Sequence, residues 1–341
     1  MSNRPIVIID GMNCWVRYFL GNQEMNLSGE SFGGAIGFLR LVRNLFRQFT
    51  PSQVFVVWEA GGGSKRRKKL LGEYKGGSNR SNISTGVFED RKGFQKDLLQ
   101  DEQLKARQLL FLNKALKHLS VKQLYLKEAE GDDVAAYLLK EVFGPGSEHA
   151  NTLKVVVSND KDYYQFLVDD NVRIYHPGKK ILYNKELAQE DCDGIHVNNY
   201  CLAKCLTGDN SDNINGVPGV GYKSAAKYYP SLTLSPELFL NDFIDYTERV
   251  YAEYSTQKKM PKVVQSVHDN LDLVRRNYKL IYIGSSALTS TQQETATRQA
   301  ETVLPNPNLI GFLSIFTENK LNIMQEHEAL FSEASLFLRH G

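Results

Sequence analysis

Residues 5–13 read PIVIIDGMN. Four β-branched residues run without a polar break and end at Asp10-Gly11. An unbroken apolar run of this length fits a strand buried on both faces, the pattern of a parallel sheet. It also delivers an aspartate at the strand's C-terminal end. Two further runs do the same. Val54 to Trp58 leads into Glu59, and Leu153 to Ser158 leads into Asn159-Asp160-Lys161-Asp162. Helical patterns separate them. Residues 32–49 place apolar positions at helical spacing with arginines opposite, and the stretch from about Phe88 to Leu119 is helical with charge in its first half. Val121 to Leu126 reads as another strand. Asp132 or Asp133 opens a helix through VAAYLLKEVF, which Gly144-Pro145-Gly146 stops. Val172 to Tyr175 and Lys180 to Tyr183 form a hairpin about His176-Pro177-Gly178, and from about Val197 the chain turns mainly helical.

Strands alternating with helices predict an α/β fold, a mostly parallel central sheet with helices on both faces. Such sheets carry their sites outside the carboxyl ends of the strands. The expected division is an α/β core over residues 1–190 and a mainly helical region over 191–341. At 341 residues, with 42% hydrophobic and 23% charged residues, the chain has the composition of a soluble globular protein. A net charge of +2 identifies no partner by itself. The four cysteines, Cys14, Cys192, Cys201 and Cys205, form no CxxC pair, which argues against a zinc site or a disulfide scaffold. Cys201 and Cys205, one helical turn apart, read as small core residues. No apolar run is long enough to span a membrane, and the N-terminal apolar stretch is too short for a signal peptide. A cytoplasmic location is expected.

The acids fall into five groups: Asp10; Glu59; Glu130 with Asp132 and Asp133 in EAEGDDVAAY; Asp160 with Asp162 in VSNDKDYY; and Asp209 with Asp212 in TGDNSDN. Each has an ordinary reading. Paired aspartates before an apolar run are common helix caps, and aspartates after a strand are common turn residues. Together, with no charge partners expected around them, they point elsewhere. Each close pair of like charges costs about 1–4 kcal/mol, which a cation must offset. Oxygen ligands without His or Cys suit Mg²⁺ or Mn²⁺. Two such ions about 4 Å apart activate water and stabilise the leaving oxygen in phosphodiester cleavage.

Behind the last acids stands NGVPGVGYKSAAKYY, with Gly216, Gly219, Gly221 and Lys223. A glycine turn opening into a helix turns backbone N–H groups toward an anion. A nucleotide P-loop needs lysine directly after the last glycine, and Tyr222 intervenes. The better reading is a helix-hairpin-helix over about 205–229, gripping one phosphate of a DNA backbone. The hairpin and the acids then hold different phosphates. The basic run KRRKKLLGEYK at 65–75, followed by Arg80, sits after Glu59, where it can steer phosphate into the site. Tyr74 is positioned to stack a base or, equally, to pack in the core.

These pieces resemble the 5′-nuclease family, which includes flap endonucleases and the 5′→3′ exonuclease domain of bacterial DNA polymerase I. They look most like its phage-type branch, which includes a ribonuclease H. The resemblance runs from about Ile6 to Tyr229, with a weaker echo at NLDLVRRNYKLIYI (270–283). It rests on IIDGMN, VVWEA, RKKLLGEYK, EAEGDDVAAY, SNDKD and TGDNSDNINGVPGVGYKSAAK, in the family's order. It implies a PIN-like nuclease core with a helical arch at about 76–105. It places Asp10, Glu59, Glu130, Asp132, Asp133, Asp160, Asp162, Asp209 and Asp212 at metal-site positions. Lys75, Arg67 and Arg80 fall where basic residues contact the scissile phosphate, and Tyr74 beside the scissile nucleotide. Gly216, Gly219, Gly221 and Lys223 match the hairpin, which in the family often also holds K⁺. Glu59 departs from the family's usual Asp, keeping the charge on a longer stem, and the segment between Lys75 and Arg80 is longer than usual.

The expectation is a structure-specific 5′ nuclease using two Mg²⁺ ions, with Mn²⁺ able to substitute, in which Asp132 and Asp160 are central to catalysis. Its substrates would be branched or nicked DNA and RNA–DNA hybrids with a 5′ end, met during replication primer removal. Replication proteins such as a single-strand-binding protein or a clamp would be partners of a monomer in the cytoplasm, the host's if the gene is a phage's. Two rivals are a PIN-like ribonuclease, which gives no reason for the hairpin, and a catalytically silent DNA-structure-binding protein. The sequence leaves open whether the C-terminal third packs on the nuclease body or binds a partner.

Overall fold

The computed structural model describes residues 4–76, 102–257 and 259–338. Arg80 and most of the expected arch lie outside them. Six strands form the main sheet: β1 (Ile6–Asp10), β2 (Gln53–Glu59), β3 (Lys122–Leu126), β4 (Lys154–Val157), β5 (Val172–His176) and β6 (Ile181–Tyr183). Their order is β3-β2-β1-β4-β5-β6, parallel throughout except for β6, which pairs with β5 as the expected hairpin. The buried β-branched runs are what make this possible. Alternate residues of β1 enter opposite cores, Ile6 and Ile8 on one face and Val7 and Ile9 on the other.

The helices α1 (Gly11–Gly21), α2 (Gly33–Phe49) and α4 (Glu102–His118) pack on the Val7/Ile9 face. The short α3 (Lys65–Leu70) follows β2, and α5 (Gly131–Tyr137) follows β3 on the opposite face. After α6 (Lys185–Glu190) come α7 (Tyr200–Thr207), the two-residue strands β7 (Gly208–Asp209) and β8 (Ile214–Asn215), and α8 (Tyr222–Tyr228). The remaining helices are α9 (Leu240–Ser255), α10 (Lys262–Asp269), α11 (Leu271–Ile281), α12 (Ser290–Glu301), α13 (Leu309–Glu318) and α14 (Gln325–Phe337).

The C-terminal third packs on the nuclease body, which the sequence had left open. Val274 and Leu280 of α11 and Ala296 of α12 join one core, while Phe312, Ile315 and Phe316 of α13 and Leu330 and Ala334 of α14 join the other. A polar clamp fixes the second contact. Arg40 of α2 forms paired hydrogen bonds with Glu24 and also binds Glu326 of α14 at 2.7 Å.

Candidate active site

The strand order fixes where the acids meet. Across β3-β2-β1-β4 the C-terminal ends lead into Glu130, Glu59, Asp10 and Asp160 in that spatial order. Strands β2 and β4 flank β1, so chain direction across the sheet reverses at β1, the position at which open α/β sheets bind ligands. Asp10 caps α1, its carboxylate accepting from Asn13 N at 3.2 Å. Asp160 caps the next turn in the same way, accepting from Asp162 N at 2.8 Å. Asn13 ties the two segments together, its side-chain oxygen accepting from both N–H groups of Asn159 at 2.9 Å.

Glu130, not either aspartate, occupies the cap position of α5. Asp132 and Asp133 follow in the first turn, where the helix dipole favours them. Successive helical residues point about 100° apart, which separates their roles. Asp133 turns inward to a paired hydrogen bond with Arg67 at 2.9 and 3.0 Å, while Asp132 keeps 20% of its side chain exposed. Asp209 and Asp212 arrive from the other side on the β7–β8 turn. Gly208 and Gly216 pack so closely there that a Cβ on either would strike backbone at 2.3 Å. Asp212 is stitched to the basic segment by its carbonyl, which accepts from Lys75 N at 3.0 Å.

The acids act on one another. Burial raises Asp10 to about 7, with Glu59 and Asp160 adding to it. Burial raises Asp160 too, Lys204 pulling against it and Asp209 and Asp132 adding to it. Burial pushes Asp212 up to about 6, with Lys75 opposing and Asp209 and Asp160 reinforcing. Expensive, mutually repelling hard oxygens of this kind are the donor set a Mg²⁺-like ion relieves. The residues therefore fit divalent ions in chemistry. As they stand, no three of the described acids are close enough to enclose one.

The expectation that the acids lack charge partners is corrected. Cations from distant segments reach four of the five groups. Lys75 Nζ lies 2.5 Å from Glu130 and 3.9 Å from Glu59. Lys204, which the sequence reading passed over, lies between Asp162 and Asp209: its Nζ is 2.6 Å from Asp209 and hydrogen-bonded to Asp162. A lysine inside the apolar run CLAKCL is the signal that would have found it, since Leu202, Ala203, Cys205 and Leu206 around it are all buried. A cation there needs a buried acid. The third cation is Arg67.

Two expected contacts with substrate do not fit the geometry. Arg67 is only 1% exposed; besides Asp133 it faces Glu130 at 2.9 Å and donates from Nε to the Leu280 carbonyl at 2.8 Å. Its donors are spent inside the protein, so it orders the acids instead of touching a phosphate. Tyr74 is also 1% exposed, and its hydroxyl stands 3.1 Å from both Glu130 and Asp212. A buried ring offers no face to a base, and the packing reading of Tyr74 holds. The weaker sequence echo at 270–283 gains a reason here. It is α11, which supplies the Leu280 carbonyl to Arg67 and whose Asn277 binds the Cys205 and Asn215 carbonyls beneath the β7–β8 turn.

In the hairpin, Gly219 sits at φ +77°, a conformation glycine takes without strain, and Gly221 precedes α8. The Gly221 N–H donates to Ser224 Oγ at 3.0 Å, so it is not one of the amides free for a phosphate. Lys223 is exposed beside it. A cleft of about 380 Å³ opens between this element and the acids, lined by Asn13, Asp160, Lys161, Lys204, Asp209 and Tyr222 among others.

Known proteins resemble this chain in sequence and in fold. The chain is 27% identical over 289 residues to a 5′-3′ exonuclease of Buchnera aphidicola (from Acyrthosiphon pisum), a match covering 83% of this chain and 87% of the relative. It is 28% identical over 236 residues to a 5′-3′ exonuclease of Bacillus subtilis, covering 67% and 70%. In structure it is similar to the T5 5′-exonuclease solved with divalent zinc ions, with a TM-score of 0.64 at 22% identity over 86% of this chain and 97% of that one. It is also similar to a flap endonuclease of Methanococcus jannaschii, at 0.53 and 16%, over 98% and 93%. These two likenesses speak for the fold. Residues 5–193, more than half of the chain, match the model of the 5′-3′ exonuclease N-terminal resolvase-like domain, and the chain belongs to that family.

Proposed function

We propose that the chain is a structure-specific 5′ nuclease that hydrolyses phosphodiesters at DNA flaps, nicks or RNA-primed 5′ ends, with two Mg²⁺ ions that Mn²⁺ can replace. The observation that carries this is the crowding of Asp10, Asp160 and Asp212, each raised by burial and by neighbouring carboxylates, at the point where the sheet reverses direction. Asp10, Glu59, Asp132 and Asp160 would hold one ion, and Asp160, Asp162, Asp209 and Asp212 the other. Bound there, the ions supply an activated water and a stabilised leaving oxygen. Glu130 and Asp133 serve by fixing Lys75 and Arg67. Lys75 remains 15% exposed at the edge of the acids, placed to meet a phosphate oxygen as charge develops on it. The hairpin and Lys223 would hold duplex backbone several nucleotides away, with K⁺ as a further ligand of the hairpin. Primer removal at replication forks, alongside a single-strand-binding protein or a clamp, is the setting this chemistry suits.

The test is cleavage of a 5′-labelled flap duplex in Mg²⁺, against EDTA and against Asp132→Ala and Asp160→Ala. Short products from near the flap junction, lost in all three controls, are expected. Tight flap binding with no cleavage would replace the proposal with a silent DNA-structure-binding protein. Cleavage of single-stranded RNA with no dependence on duplex would replace it with a PIN-like ribonuclease.

A further inference from the structure

The second group of acids is held together by a lysine. Asp162 follows β4, Asp209 lies on β7, and Lys204 projects between them from the last turn of α7. Its Nζ is hydrogen-bonded to Asp162 Oδ1 and lies 2.6 Å from Asp209 Oδ2. All three side chains are at most 10% exposed. A lysine held this close to two carboxylates is an ion-paired ammonium.

The two-ion reading asks the same oxygens to bind Mg²⁺ or Mn²⁺. An ion about 2.1 Å from those oxygens would share them with the ammonium at a separation of roughly 3–5 Å. Both positive charges cannot remain in so small and so buried a space without a large repulsion. Lysine, unlike arginine, is a point charge on a flexible four-carbon stem, and the cleft beside it gives it somewhere to move.

We infer that the Lys204 ammonium occupies the place of the second divalent ion, which binds only as Lys204 is displaced from between Asp162 and Asp209. The inference rests on the two-ion reading above. It makes the two ions unequal: the one near Asp10 meets the Lys75 ammonium only at its edge, 3.9 Å from Glu59, and the one near Asp209 competes with a cation held directly between two of its ligands. The enzyme can then stay folded without its second ion, since the lysine compensates the acids meanwhile.

The experiment uses the full chain without DNA, so that cleavage plays no part. Mn²⁺ binding is counted by the spin-resonance signal of the free ion, and Tm is recorded in EDTA and in Mn²⁺. The proteins are the native chain, Lys204→Met, Lys204→Gln and Lys204→Arg. The native chain is expected to bind one ion more tightly than the other. Lys204→Met should lower Tm in EDTA by about 5–10 °C, because two buried carboxylates lose their cation. It should tighten the weaker Mn²⁺ site by about tenfold or more and enlarge the Tm rise on adding Mn²⁺. Lys204→Gln removes the charge while keeping a polar head on a shorter stem and should shift the weaker site in the same direction, which gives the answer if the Met variant fails to fold. Lys204→Arg keeps the charge and should leave that site weak. Unchanged or weaker second-ion binding in both Met and Gln variants overturns the inference, as does an Arg variant that binds like Met. If the native chain and all the variants bind only one ion or none at millimolar Mn²⁺, the two-ion reading itself falls, and the inference with it.

Discussion

The carboxylate cluster has two sides that solve the same electrostatic problem differently. On the side of Asp10 the hydrogen-bonding groups are neutral: Asn13 N, the Ser158 hydroxyl at 3.1 Å and the Tyr163 hydroxyl at 3.3 Å. On the side of Asp162 and Asp209 an ammonium lies between the acids. The pKa directions follow. Asp10 is raised to about 7, whereas Asp209 is held below the usual carboxylate range, Lys204 and Ser211 outweighing its burial. A third arrangement, Arg67 with Lys75, holds Glu130 low against its own burial. One side is therefore strained until a cation arrives, while the other carries its own. Strain is kept where a ligand relieves it, and compensation is placed where the fold must stand without one.

The largest test of that contrast is Asp10→Asn. Loss of an ion ligand should lower flap cleavage by about a thousandfold or more, several kcal/mol of transition-state stabilisation. The same change should raise Tm in EDTA at pH 8, since it removes a buried charge that only neutral groups compensate. A fall in Tm would mean that Asp10 is stabilising, and the contrast would break. Next is Arg67→Met, which leaves Asp133 buried without its paired guanidinium and Glu130 with Lys75 alone. Urea unfolding should show a loss of about 3–5 kcal/mol, and Arg67→Lys should recover only part of it, because an ammonium cannot reproduce the paired contact and the Leu280 carbonyl together. Retained stability in Arg67→Met would reopen a direct role at the phosphate.

A third test is pH. Asp10 holds its proton more tightly in the folded chain than the unfolded one, where its value is 3.8. In EDTA its contribution to stability therefore falls as pH rises from about 4 to about 7, and Asp212 acts the same way up to about 6. Divalent ions need both carboxylates ionised, so Mn²⁺ affinity should rise across pH 6 to 8 with release of protons to the buffer. Asp10→Asn should flatten the upper part of that rise. Calorimetry in buffers of different ionisation enthalpy reads the proton count, and a flat affinity between pH 6 and 8 would contradict the raised values.

Much of this was legible in the chain. IVII, VFVVW and KVVV announce themselves because a strand buried on both faces is a local, unbroken apolar signal. The strand-end acids were legible for the same reason: they stop those runs. What was not legible is partnership across distance. Lys204 lies 42 residues from Asp162, and Arg67 lies 66 from Asp133. The basic run at 65–75 reads as a surface until α11 covers it, and then Arg67 within it becomes one of the most buried side chains in the molecule. Local charge predicts a solvated face, whereas tertiary packing decides which member of the run is drawn inside.

Tyr74 gives the smallest and most discriminating prediction. Its single hydroxyl proton faces two acceptors, Glu130 Oε2 and Asp212 Oδ2, each at 3.1 Å, so it donates to one carboxylate at a time. Glu130 already has Lys75 and Arg67, whereas Asp212 is raised by its surroundings. The donation matters more to Asp212, the acid with less compensation. Tyr74→Phe keeps the ring and its packing and removes only that donor. The expected cost is about 1 kcal/mol in urea unfolding, with a further rise in the Asp212 pKa that weakens Mn²⁺ binding a few-fold near pH 6 and less at pH 8. Flap affinity measured in Ca²⁺ at pH 8 should not change, because the ring does not reach the DNA. Tyr74→Leu separates this from stacking. A base-stacking tyrosine would lose flap affinity in Leu and keep it in Phe, whereas a packing tyrosine loses stability in Leu and leaves the affinity of the folded protein intact.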